Sequence, residues 1–78
     1  MNNIKKVKML TISKINKHIS CLGYELTRGK GYYYFFPISD NVPMLTSDSV
    51  YVCRLNHLTL NQWLNELNDK IKEAKEVL

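Results

Sequence analysis

Toward the C-terminus, apolar residues recur at intervals of three and four: Leu60, Trp63, Leu64, Leu67, Ile71, Ala74 and Leu78. A single stripe of that period predicts an amphipathic helix. Asn61, Asn65, Asn68, Lys72 and Lys75 fall on its other side. Thr59 is a good N-cap, and Gln62 stands where the reciprocal partner of a capping box belongs. Leu58 and Trp63 occupy the positions of a hydrophobic staple around that cap. The helix is expected from about Leu60 to Val77.

The N-terminal segment has a similar period through Ile4, Val7, Thr11, Ile15, His18 or Ile19, and Leu22. Gly23 follows where a helix-ending glycine sits. This predicts one helix from about Asn3 to Leu22. The alternative is a shorter helix capped by Thr11 or Ser13, with Val7 to Ile12 extended.

Between the helices the period changes. Tyr24 to Arg28 and Tyr32 to Phe36 flank Gly29-Lys30-Gly31, a hairpin pattern. Tyrosine, phenylalanine and threonine suit strands, and Pro37 ends the second one. Ser39 to Ser49 is polar, contains Pro43 and reads as a loop. Ser49 to Leu55 reads as a third strand, with Val50 and Val52 on one side and Tyr51 and Cys53 on the other. The order α-β-β-β-α gives an α+β domain spanning 1–78, a three-stranded antiparallel sheet with both helices packed on one face. The other face is then free for water or a partner.

Composition adds limits. A chain of 78 residues is one domain with little room for a deep cleft. Its apolar content of 45% supports a packed core. No apolar run has the length of a secretory h-region or a membrane span, which predicts a cytoplasmic protein. Cys21 and Cys53 are then expected as free, buried thiols. Charge is uneven. Residues 1–31 hold seven Lys/Arg against one acid, a balance of +6; residues 32–78 hold four against six, a balance of −2. A basic first half favours an anionic partner, or serves simply as a solvated face.

The run Tyr32-Tyr33-Tyr34-Phe35-Phe36 is the most unusual feature. Strand alternation sends Tyr32, Tyr34 and Phe36 one way and Tyr33 and Phe35 the other. One set enters the core. The other, with Tyr24 or Tyr51 across the sheet, forms an exposed patch beside Arg28 and Lys30 at the hairpin tip. Aromatics beside basic residues stack bases and hold phosphates, and they also anchor protein interfaces. The plain alternative is that both faces are covered and the tyrosine hydroxyls only reach solvent. The candidate contact residues are Arg28, Lys30, Tyr32, Tyr33, Tyr34 and Phe35.

Other motifs lead less far. Lys30-Gly31-Tyr32-Tyr33-Tyr34 echoes an RNA-recognition motif but has Tyr33 where a small residue belongs, and no strand leads the chain. His18/Cys21 and Cys53/His57 are spaced like two zinc half-sites, yet neither has a Cys-Cys knuckle, and packing explains both pairs. His57 reads as a turn residue before the Thr59 cap. No phosphate loop, carboxylate pair or nucleophile elbow is present. Neither catalysis nor a metal or other cofactor is expected.

Two stretches carry a resemblance: Gly29-Lys30-Gly31-Tyr32-Tyr33-Tyr34-Phe35, and Ser49-Val50-Tyr51-Val52-Cys53-Arg54-Leu55-Asn56-His57-Leu58-Thr59-Leu60-Asn61-Gln62-Trp63-Leu64. Together they resemble small proteins encoded by bacteriophages and prophages, over roughly half of the chain. The resemblance implies a phage-like origin and transfers no catalytic or ligand residues. Such proteins include inhibitors of host defence, among them anti-CRISPR proteins that occlude a nucleic-acid-handling complex. The expectation is therefore a non-enzymatic interaction protein whose partner is a host protein or ribonucleoprotein complex. The alternatives are a small basic nucleic-acid-binding protein and a homodimeric module.

Overall fold

A computed structural model describes residues 10–77. The element order is α1 (Ile12–Ile19), a 3-10 turn (Ser20–Leu22), β1 (Tyr24–Arg28), β2 (Tyr33–Pro37), β3 (Ser49–Val50), a second 3-10 turn (Leu55–His57) and α2 (Leu60–Glu76). The strands form an antiparallel sheet in the order β1-β2-β3, and the helices pack on it. This is the expected small α+β domain.

The N-terminal helix is shorter than the Asn3–Leu22 expectation. Thr11 is extended, at φ −126° and ψ 158°, and its side chain accepts from the Lys14 backbone N–H at 3.1 Å. A capped start fixes the first helical residue as Ile12. This is the Thr11 cap of the shorter alternative, except that Ile12 is helical and not extended. The other end tightens into the 3-10 turn and stops at Gly23, whose φ of 93° favours glycine. A Cβ at Gly23 would also run into the Val42 side chain. Residues 3–9 of the expected helix, with Lys5, Lys6 and Lys8, and the terminal Leu78 lie outside the described residues.

In α2, Thr59 accepts from the Gln62 N–H at 3.2 Å, and Gln62 Oε1 accepts from the Thr59 N–H at 2.8 Å. Both halves of the capping box are thus made. The helix presents Trp63 and Leu67 to the core, with Leu60, Leu64 and Ile71 beside them. Trp63 is the centre of that core. Its ring meets Tyr33 and Phe35 edge-on, with centroids 5.6 and 6.3 Å away. Its indole N–H donates to the Leu55 carbonyl at 2.8 Å, so its polar atom is not left unpaired.

The third strand is also shorter than Ser49–Leu55. The Val52 N–H donates to the Val50 carbonyl at 3.1 Å, a turn across Tyr51 that withdraws the chain from the sheet. Pro37 is tolerated at the end of β2. Ladder bonds from Phe35 N to Asp48 and from Ile38 N to Gly23 place the proline nitrogen on the β3 side. There β3 has no residue paired with Pro37, so its missing N–H costs no ladder bond.

One edge of the sheet is covered from α1. Asn16 Oδ1 accepts from the Leu26 N–H at 2.7 Å, and Asn16 Nδ2 donates to the Leu26 carbonyl at 3.4 Å. The side-chain amide thereby stands in for a neighbouring strand on the outer edge of β1.

Candidate interaction site

The cross-strand pairs sort the aromatic run. Tyr33 and Phe35 pair with Arg28 and Leu26, Tyr34 pairs with Thr27, and Phe36 pairs with Glu25. Paired residues share a face. Tyr33 and Phe35 are 2% and 1% exposed, against Trp63. The helices cover that face alone, so Tyr34 and Phe36 are turned to the open one. Ser49, paired with Tyr34, lies on the open face as well.

On that open face three tyrosine rings form a row. Tyr32 stands 5.9 Å from Tyr34 and 5.7 Å from Tyr51 between centroids, both at 36°. Tyr51 is 80% exposed because the turn at Val50–Val52 holds it out at the end of β3. Tyr32 is fixed from below by Gly29. A side chain there would overlap the Tyr32 ring, and the Gly29 N–H donates to the Tyr32 carbonyl at 2.8 Å. Gly31, at φ 78°, makes the turn that leaves Lys30 exposed at the tip.

The face continues past Phe36, which is 55% exposed, to Ile38 and Met44 at 48% and 77%. These residues line a shallow depression with Val42 and Asp40. Three large apolar side chains left in water in one place are the usual mark of a contact surface.

The expected contact residues therefore divide. Tyr32 and Tyr34 come together on the open side, and Lys30 is exposed at the hairpin tip. Tyr33 and Phe35 are core residues and have no surface to offer. Arg28 shares the face of Tyr33, with its guanidinium 5.5 Å from the centre of that ring, so it stands on the opposite side of the sheet from the tyrosine row. Tyr24 is buried, and its hydroxyl donates to the Pro43 carbonyl. Burial pushes that phenol above its ordinary pKa. Tyr51 is thus the tyrosine that joins the patch.

Sequence reasoning missed Ile38 and Met44. Their signal was present: Ile38 is an apolar residue just before the loop expected over residues 39–49, and Met44 is one within it. Cys21 and Cys53 are free, as expected, but exposed rather than buried. Cys21 sits in the 3-10 turn, where its thiol donates to the His18 carbonyl at 3.5 Å. Cys53 lies beyond the early end of β3. His18 is exposed because α1 buries Ile15 and Ile19 instead. Among the described residues no three His, Cys, Asp or Glu side chains group as a metal site would require. No helix among them is long and apolar enough to cross a membrane.

No protein-family model, curated protein or solved structure matches the chain.

Proposed function

We propose that this chain is a non-enzymatic binding protein that docks a host protein or ribonucleoprotein complex on the open face of its sheet and acts by occlusion. The observation that carries the reading is the row Tyr34, Tyr32 and Tyr51 on the uncovered face, with the Tyr32 ring in contact with each of the other two. Rigid, partly exposed tyrosines give large contact area at low entropic cost and are common energetic anchors of interfaces. The turn at Tyr51 and the fit of Tyr32 on Gly29 hold two of the three in place before binding. Pre-ordering of this kind lowers the cost of association.

The resemblance of Gly29 to Leu67 to small phage proteins supplies the partner class. An inhibitor of a bacterial nucleic-acid-targeting complex, of the anti-CRISPR kind, needs a rigid adhesive face and no chemistry of its own. Capture from a nuclease-treated bacterial lysate tests the reading. Wild type retains a protein partner there, and the Tyr34→Thr/Tyr51→Thr variant loses it. Equal capture by both overturns the assignment of the face.

A second reading is favoured by Lys30, exposed at the hairpin tip two residues before Tyr32. A stepped aromatic row next to a cation is a platform on which single-stranded bases stack. Binding that vanishes with nuclease and falls steeply with salt would support it.

A further inference from the structure

We propose that the depression lined by Phe36, Ile38, Val42 and Met44, with Asp40 in its wall, seats an apolar side chain flanked by lysine or arginine on the partner polypeptide. This inference rests on the protein-binding reading above and specifies the chemistry that one part of the surface selects.

The groove is apolar and open. Phe36, Ile38 and Met44 are all substantially exposed along it. It is also built in advance. The Ile38 N–H donates to the Gly23 carbonyl at 2.8 Å, behind the groove. Tyr24 donates to the carbonyl of Pro43 from within the core. The Val42 side chain packs on the Cα of Gly23, where a larger residue would not fit. Three anchors therefore hold the segment from Ile38 to Pro43 against the end of the hairpin, and little ordering remains to be done on binding.

Charge selects the occupant. Asp40 is the one charged residue among those lining the groove. Glu25 stands opposite Phe36 on the same open face. Two carboxylates at this end repel a phosphate backbone and attract a cation. The face is thus polarised, with Lys30 at the hairpin tip and carboxylates at the groove. A nucleic acid suits only the first end. A polypeptide with an apolar residue beside a basic one suits the second. Through Phe36 the groove is continuous with the tyrosine row, so a single partner can span both.

The test uses the full-length, isotope-labelled chain and two capped pentapeptides, Gly-Lys-Leu-Lys-Gly and Gly-Glu-Leu-Glu-Gly, followed by amide NMR shifts. The lysine peptide is expected to move the amides from Phe36 to Met44 and to bind roughly threefold to fivefold tighter than the glutamate peptide, the size of one exposed ion pair. Asp40→Lys, on an exposed loop, should remove or reverse that preference. Met44→Gln, which adds no charge, should weaken the seat for leucine in both peptides. Equal shifts with the two peptides, shifts located elsewhere, or no shift would overturn the proposal. The same amides moving with protein concentration alone would assign the groove to a second copy of the chain, and a response to oligothymidylate would assign it to nucleic acid; either result overturns it. The Tyr34→Thr/Tyr51→Thr variant keeps the groove intact. If that variant still retains the partner while the lysine peptide selects the groove, the tyrosine-row reading fails and the groove survives.

Discussion

The rings of Tyr32 and Tyr51 stand 5.7 Å apart, one at the end of the hairpin loop and the other just past the last strand. Gly29 makes the arrangement possible, because the Tyr32 ring lies where any side chain at position 29 would be. Gly29→Ala should displace that ring and break its contact with Tyr51. Ring-proton shifts of Tyr51 measure this directly. An unchanged Tyr51 spectrum would mean that the glycine does not position the row.

Asn16 should contribute far more than a surface asparagine. Asn16→Leu leaves the Leu26 N–H and carbonyl without their partner at a half-buried edge. The expected cost is about 1–3 kcal/mol. Asn16→Asp keeps the acceptor for the Leu26 N–H and loses the donor to its carbonyl, so a smaller loss is expected. Urea denaturation of the two variants gives the comparison, and equal stability of Asn16→Leu and wild type would contradict the edge-covering role.

The capping box of α2 predicts a loss of about 1 kcal/mol for Thr59→Ala. Gln62→Ala should cost less, since it removes only the return bond to the Thr59 N–H. Chemical denaturation checks both. No change at Thr59 would mean that packing of Trp63 alone sets the helix start.

Tyr24 predicts a response to alkali. Burial raises its folded pKa, so the fold prefers the neutral phenol. The stability this group contributes is complete below the unfolded value of about 10 and is lost as pH climbs through the folded value. Tyr24→Phe should cost about 1 kcal/mol at neutral pH through the lost bond to Pro43. It should also lose less stability than wild type when pH is raised past 10. Parallel stability curves for the two proteins above that pH would contradict the buried-phenol account.

Much of this architecture was legible because it is written in local chemistry. The period of α2, its Thr59–Gln62 box and the hairpin around Gly31 each follow from residues close in sequence. What was not legible depends on contacts between distant segments. The length of β3 is set by the turn at Val50–Val52, which no composition rule distinguishes from a continuing strand. Alternation divided the five aromatics correctly into two sets, but only the position of Trp63 determines which set is buried. Arg28 looked like a tip residue because it adjoins Gly29. Its parity with Leu26 puts it on the other face. Periodicity in the first segment favoured the longer helix over the Thr11-capped one, since a capping threonine can also continue an apolar stripe.

The central claim is that the open tyrosine face makes the energetic contact with a protein partner. The most direct measurement is the affinity of the captured partner for wild type and for Tyr34→Thr/Tyr51→Thr, with urea stability recorded for both. Threonine suits the strand position of Tyr34, and Tyr51 is 80% exposed beyond the strand, so stability should stay within about 1 kcal/mol. Affinity should fall by about 30-fold or more, as for a lost interface anchor. Unchanged affinity in a folded variant would contradict the claim, as would binding that responds only to Lys30→Glu and to salt.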